Sequence, residues 1–266
     1  MGDTRLAPVA IITGAADGIG WATAMCMATK GWQVVVVDIH AEQARTRATE
    51  LGEAHLGLGC DVTRAGDVDG AIDRVLQRYG RIDALVNNAG IGDQTVPTLH
   101  QTAEAFDRVL AVHLRGTFLM SQAALGHMRN QTRDERGNRG AVVNLGSIAG
   151  LGGIPGRNAY CAAKAGVLGM TRAMAVEWAR EGIRFNAVAP GYVRTPMVAA
   201  LALDGAIDEQ AILGRTPMGR MAHPDEIAAS IEFLASSAAS FITGATLSAD
   251  GGWSVLGAPE SALGQV

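Results

Sequence analysis

The segment Thr13-Gly14-Ala15-Ala16-Asp17-Gly18-Ile19-Gly20 constrains this chain more than any other. It follows the apolar, β-branched run Val9 to Thr13, which reads as a buried strand, and it opens a stretch of helical pattern over 19–30. Three glycines at a strand-to-helix junction have separate uses. Gly14 permits a tight turn, Gly18 lets backbone N–H groups approach a bound anion, and Gly20 lets the helix pack closely on the sheet. The first turn of such a helix carries unpaired N–H groups and the positive end of its dipole, which suits a pyrophosphate. A glycine triplet alone is equally a simple tight turn; the strand before it and the helix after it supply the context that a dinucleotide site requires.

The remaining chain repeats the rhythm. Further strands are expected at 33–38, 56–60, 82–87, 141–145, 183–189 and 245–248, with helices at 41–51, 67–79, 102–129, 158–181 and 224–235. Strands alternating with amphipathic stretches predict one α/β domain over 1–266: a Rossmann-like, doubly wound parallel sheet of about seven strands with helices on both faces. Two segments interrupt the pattern. Asn130 to Gly140, rich in Arg, Asn and Gly, reads as a solvated loop. Residues 192–221 are too long for a plain connection and carry Met197, Val198, Leu201, Leu203, Ile207, Ile212 and Leu213, an apolar content that suggests a lid over a substrate; a surface helix pair packed on the core is the plainer alternative. The tail, 254–266, is either disordered or reaches a neighbouring subunit's site.

Composition narrows the partners. A net charge of -4 leaves no basic surplus for nucleic acid. The longest fully apolar runs are strand-sized, far short of the roughly 20 residues of a membrane span, and Met1 to Pro8 lacks a signal pattern. The 3 cysteines, Cys26, Cys60 and Cys161, form no CxxC pair, so neither a disulfide framework nor a metal site is expected, and a cytoplasmic location fits. Asn130-Gln131-Thr132 matches a glycosylation acceptor by chance.

Asp38 ends the second strand, where an acid accepts both ribose hydroxyls of an adenosine and repels a 2′-phosphate. Ile39 beside it, and Ala15 and Ala16 in the glycine loop, offer no cation to such a phosphate, so NAD is expected over NADP. Asp38 also suits a cap on the following helix. Tyr160 and Lys164 stand four apart in a predicted helix and share a face. A tyrosine is a poor base at neutral pH, and a nearby ammonium favours its phenolate. Ser147, after Asn144-Leu145-Gly146, presents a hydroxyl for a substrate oxygen. Together with the nucleotide loop, these residues point to proton abstraction coupled to hydride transfer.

With these motifs in this order, the chain resembles the short-chain dehydrogenase/reductases. Thr13 to Gly20 matches TGxxxGxG, Asn87-Asn88-Ala89-Gly90 matches NNAG, and Ser147 with Tyr160-Cys161-Ala162-Ala163-Lys164 matches the Ser…YxxxK pair. Pro190-Gly191-Tyr192-Val193-Arg194-Thr195 and Ile242 to Gly252 extend the likeness to nearly the whole chain. The resemblance implies that Asp61 and Val62 contact the adenine, that Asn88, with Ala89 and Gly90, supports the central strand and the cofactor, and that Val193 and Thr195, after Pro190 and Gly191, touch the nicotinamide carboxamide or the phosphates. Lys164 would also bind the nicotinamide ribose, and the protein would be a homotetramer or dimer through its long helices. One departure stands out. Val112-His113-Leu114-Arg115-Gly116 places His113 where the family often has an Asn that holds, through its backbone, a water beside the Lys. His113 either keeps the helix kink and water site, adding a titrating group to a proton relay, or is a core histidine with satisfied hydrogen bonds.

The expected reaction interconverts a secondary alcohol and a ketone. The wall after Ser147, including Ala149, Gly153 and Ile154, is small and apolar, and Met197 and Leu201 stand in the lid, so a cyclic or bulky apolar substrate fits. A sugar or polyol would need fixed polar partners, for which Asn158, Arg194 and Asp204 are candidates. A 3-oxoacyl carrier-protein reductase would want NADP and a basic mouth, with only Arg129 and Arg172 to offer, and a non-catalytic NAD-binding sensor would have no need of Tyr160.

Overall fold

A computed structural model describes residues 7–203, 205 and 207–264. Seven strands form one parallel sheet in the order β3-β2-β1-β4-β5-β6-β7: β1 is Val9–Thr13, β2 Gln33–Asp38, β3 Leu56–Gly59, β4 Ala84–Asn87, β5 Gly140–Leu145, β6 Ile183–Pro190 and β7 Thr246–Ala249. The central strands are buried along almost their whole length, and are mostly apolar, because helices cover both faces. Alternate residues divide between the two layers. Val9, Ile11, Val35, Leu85, Val142 and Phe185 pack against α3 (Ala65–Tyr79), α5 (Gly116–Met128) and α6 (Asn158–Trp178). Ala10, Ile12, Val34, Val36, Val86 and Val188 pack against α1 (Gly18–Thr29), α2 (Ala41–Leu51) and α9 (Pro224–Ala235). A one-residue slip in any strand would exchange the two sets.

The strand order reverses direction between β1 and β4, which leaves a crevice above their carboxyl ends. Side chains bind the strand ends there. Thr13 Oγ1 accepts from the Asn88 and Ala89 N–H groups (3.1 and 3.0 Å), and Asn88 Nδ2 donates to the carbonyls of Thr13 and Gly14 (2.9 and 3.0 Å). Deeper in the sheet, Asn87 donates to Asn144 (2.8 Å) and to Ser121 (3.0 Å), and Asn144 donates to Thr171 (2.9 Å). This buried polar chain ties β4 and β5 to α5 and α6 and fixes their relative position.

The expected helix over 102–129 is interrupted. Regular helix runs over α4 (Ala103–Leu110), a π turn occupies Ala111–Arg115, and α5 follows. The segment 130–140, expected to be a plain solvated loop, is tied to the fold: the Gln131 side chain accepts from Ile82 N–H (2.7 Å) and donates to Ile82 and Arg139 carbonyls, and Arg139 pairs with Glu181. Residues 192–221 contain two helices, α7 (Pro196–Leu203) and α8 (Glu209–Arg215), and α7 buries none of its side chains. Asp204 lies outside the described residues. The tail from Trp253 to Gly264 contains short 3-10 turns, and Arg215 donates to the Trp253 and Leu256 carbonyls. Among the described residues, no helix is long and apolar enough to cross a membrane.

Glycine positions in helices allow a test with opposite signs. A Cβ on Gly20 would lie 2.2 Å from the Gly14 carbonyl oxygen and 2.9 Å from Ala15 Cα, so backbone must move, whereas a Cβ on exposed Gly70 in α3 meets nothing within 4 Å. Gly20→Ala is expected to destabilise by about 1–3 kcal/mol and Gly70→Ala to stabilise by up to about 1 kcal/mol. Urea unfolding midpoints of the two variants check both signs.

Candidate active site

A cleft of about 460 Å³ opens at the β1–β4 crevice and runs from the end of β2 to the start of α6. Its floor is the glycine turn. Gly14 (φ 62°) and Gly18 (φ 55°) both use left-handed backbone, which the glycines supply without strain. Asp17 caps α1, its Oδ1 accepting from Gly18 N–H at 2.7 Å. Ile19 lines the cleft, while Gly20 sits behind it as the helix-to-sheet contact and Thr13 acts from below as the buried acceptor described above.

The outer end is acidic. Asp38 accepts from Ala16 N–H (3.2 Å) and His40 N–H (3.1 Å), so its carboxylate is fixed against the glycine turn beside Ile39. The cap position of α2 is His40, without a side-chain cap bond, so Asp38 fixes the turn before the helix rather than capping it as expected. Asp61 and Val62 form the neighbouring wall, where Asp61 Oδ1 accepts from both the Thr63 N–H and hydroxyl. One residue here escaped the sequence reading. Arg47, far along α2, donates from Nε to the Ala16 carbonyl (3.1 Å), lies over the Trp21 ring, and pairs with Glu50. The inner walls carry Asn88, Ala89 and Gly90 on one side and Pro190, Gly191, Val193 and Thr195 on the other.

Ser147, Tyr160 and Lys164 meet at the inner end. Ser147 follows β5 and caps a 3-10 turn, its Oγ accepting from Ala149 N–H (3.1 Å). Tyr160 lies in the first turn of α6, where its N–H donates to Asp93 (3.0 Å). Lys164, one turn on, is buried and donates to the Leu145 carbonyl at 2.7 Å, with Nζ 5.5 Å from the centre of the Tyr160 ring. Burial pushes Lys164 down to about 8. Burial also raises Tyr160, against which a hydrogen bond with Ser147 and the charge of Arg157 pull downward. The expectation that Lys164 acidifies the tyrosine is therefore only half of the balance: in this dry corner desolvation is the largest effect, and the cation that opposes it is Arg157, a residue the sequence reading passed over.

His113 stands in the π turn, buried, with its ring edge-on to Tyr160 at 5.2 Å. Nε2 lies 2.9 Å from the Ile91 carbonyl and 3.1 Å from its N–H, while Nδ1 has no hydrogen-bond partner. A Cβ on Gly90 would come within 2.5 Å of the ring, so Gly90 is the gap the imidazole fills. Burial first, then the charge of Lys164, push His113 down to about 3, so the ring is neutral near pH 7. Of the residues expected at the substrate, Met197 lines this cleft; Ala149, in the turn after Ser147, and Gly153, Ile154 and Leu201 do not border it.

A family model described as enoyl-(acyl carrier protein) reductase matches residues 14–254. The chain is 44% identical over 264 residues, 98% of its length, to an uncharacterized short-chain type dehydrogenase/reductase of Sinorhizobium fredii. The chain belongs to the short-chain dehydrogenase/reductase family. It spans about half (47%) of that relative's length. It is also 41% identical to a cis-4-hydroxycyclohexanecarboxylate dehydrogenase of Sinomonas cyclohexanicum, with 96% of this chain and 100% of that one covered. A D-threitol dehydrogenase of Mycolicibacterium smegmatis is 43% identical, with 93% of each covered. Among solved structures, levodione reductase superposes with a TM-score of 0.86 at 36% identity, covering 95% of this chain and all of that one. As a member of a family of oxidoreductases that use NAD(P), this short-chain dehydrogenase/reductase carries its glycine turn and its Ser147, Tyr160 and Lys164 set in one cleft.

The depressed His113 sets a pH dependence. An unfolded histidine titrates near 6.5 and the folded one near 3, so the unfolded chain binds more protons between those values and stability falls as pH falls through that window. Relative to His113→Asn, the native protein should lose about 1.4 kcal/mol of unfolding free energy per pH unit below 6 and nothing above 7. Urea titrations of both proteins at pH 7.5, 6 and 5 check the sign and the slope.

Proposed function

We propose that this chain is an NAD-dependent dehydrogenase that interconverts a secondary alcohol and a ketone, with Tyr160 as acid/base. The observation that carries the reading is the meeting of Ser147, Tyr160 and Lys164 at the inner end of a cleft whose outer end is closed by Asp38. The left-handed glycines and the α1 N-terminus fit a pyrophosphate, and the Asp38 carboxylate fits ribose hydroxyls. Asp61, Val62 and the Asn88 to Gly90 turn would hold the adenosine side; Pro190, Gly191, Val193, Thr195 and Lys164 would hold the nicotinamide side. When bound, the nicotinamide supplies the hydride acceptor or donor.

The protein's own work is positioning and proton transfer. Ser147 and Tyr160 hold the substrate oxygen. Tyr160 takes the hydroxyl proton in the oxidative direction and returns it in reduction. The raised tyrosine would be a sluggish base alone; Lys164, the Ser147 hydroxyl and Arg157 favour its phenolate when the proton leaves. His113, neutral and wedged against Gly90, keeps the Tyr160 ring in place from its edge, a supporting role in catalysis rather than a titrating one. Residues 192–221 act as the lid, with Met197 over the inner cleft and Leu201 further out; Ala149, Gly153 and Ile154 would shape the far side of the substrate. A cyclic substrate is favoured over a polyol because the polar candidates are committed elsewhere: Asn158 bonds Thr98 (2.9 Å) and Arg194 pairs with Glu209. A homotetramer or dimer in the cytoplasm remains part of this reading.

Two experiments test it. With NAD and a panel of cyclic secondary alcohols, turnover is expected in the native protein, and Tyr160→Phe should lose about 10²–10⁴-fold in kcat while NAD still binds; retained turnover would refute the acid/base assignment. For the cofactor, Asp38→Ala should reduce discrimination against NADP by on the order of a hundredfold, because it removes the repelling carboxylate while Arg47 stays beside the Ala16 carbonyl. Steady-state kcat/KM values for NAD and NADP check this.

A further inference from the structure

Four arginines lie around the inner cleft and the lid, and three of them are committed. Arg194 pairs with Glu209, Arg220 forms two bonds to Glu226, and Arg215 holds the Trp253 and Leu256 carbonyls. Arg157 differs. Its half-buried guanidinium lies over the Tyr160 ring, with Cζ 5.1 Å from the ring centre, and its buried Nε has no hydrogen-bond partner. Among the described residues no carboxylate forms an ion pair with it. The acid that shares this corner, Asp93, accepts from the Tyr160 N–H. The charge of Arg157 is felt at Tyr160, Tyr192 and His113, so it lies close to all three, beside the cleft that Tyr160 lines rather than on its wall.

An aromatic face compensates a cation only in part, and a buried donor left unpaired is costly. A guanidinium held in this way is preorganised for a planar oxyanion, which it meets through parallel N–H donors. We infer that Arg157 makes this enzyme selective for a hydroxy acid: its guanidinium receives a carboxylate or sulfonate carried elsewhere on the molecule than the reacting carbon. The inference rests on the proposed alcohol oxidation, since the anion is bound so that the hydroxyl reaches Ser147 and Tyr160. It also changes the expectation of a wholly apolar substrate. The apolar lid and small wall would surround the ring of the molecule, while its charge finds Arg157. Because the anion pairs with Arg157 in the ground state and the transition state alike, its contribution is uniform binding, read mainly in KM.

The test compares 4-hydroxycyclohexanecarboxylate, the matching sulfonate and the neutral carboxamide in the native protein, Arg157→Gln and Arg157→Lys, all saturated with NAD. Calorimetric binding of cyclohexanecarboxylate to the NAD complex accompanies it as a readout free of turnover. In the native protein, kcat/KM for the acid should exceed that for the amide by about tenfold to a hundredfold. Arg157→Gln should bring that ratio near one through KM, and Arg157→Lys should fall between, because it keeps the charge but loses the fork. The sulfonate compared with the carboxylate tells which oxyanion is preferred. A ratio near one in the native protein, or a ratio that survives Arg157→Gln while both substrates slow equally, would overturn the inference; the second result would mean that Arg157 acts on Tyr160 instead. If no alcohol is oxidised but calorimetry still finds Arg157-dependent binding of the carboxylate, the anion site stands and the dehydrogenase reading falls. If the carboxylate is neither oxidised nor bound, the anion site falls.

Discussion

The contact between the ends of β1 and β4 holds the rest together. At this reversal of strand order the sheet has to part to admit a ligand, yet two adjacent parallel strands must stay in register. The solution is side-chain hydrogen bonding where the backbone ladder stops. The Thr13 hydroxyl and the Asn88 amide replace the lost ladder bonds, and Gly14 and Gly20 let the turn lie close enough for them to reach. The same few atoms therefore close the sheet, start α1 and shape the floor of the cleft. The packing of the sheet and the shape of the cleft cannot be separated there, because the glycine turn that packs so closely is also the start of α1.

At the other end of the cleft the governing effect is the loss of water. Tyr160, Lys164 and His113 lie together in a region where every charge is penalised, and each responds in the direction its chemistry dictates: the phenol rises, and the ammonium and imidazole fall. The two falling groups help each other only in a negative sense. Burial above all, and then the Lys164 charge, keeps His113 neutral, and a neutral ring can lie against Tyr160 without adding a further cation. Arg157, half open to solvent, lays its guanidinium over the tyrosine ring at the edge of this region.

Much of the architecture was legible because each layer writes a simple pattern. Buried parallel strands appear as short β-branched runs such as Val34 to Val37, and the glycine turn marks its own place at the first strand-helix junction. Spacing alone correctly put Tyr160 and Lys164 on one helical face. Three things escaped. Arg157 precedes a helix, where an arginine ordinarily reads as a solvated end; nothing local tells that a tyrosine ring will come beneath it. Arg47 is 31 residues from the carbonyl it binds, so only the packing of α2 on the glycine turn reveals it. The Asn87–Asn144–Thr171 chain was hidden because single polar residues inside apolar strands carry no periodic signal. The strength of desolvation around Tyr160 also lies outside sequence, since it depends on how completely three separate segments exclude water.

The π turn at Ala111–Arg115 has a geometric consequence. Accommodating one more residue per turn advances everything after it by about 100° around the helix axis. Upstream, Phe106, Val109 and Leu110 face the small cluster that cradles Tyr160; downstream, Met120, Ala124 and Met128 face the sheet. A straight helix has a single inward stripe, and these two targets do not lie along one stripe. The local underwinding works as an angular coupling that lets one rod address two surfaces of different orientation, with His113 at the coupling itself. The chain length of this segment is consequently as constrained as its composition: removing one residue would turn a core stripe outward even if every side chain kept its chemistry.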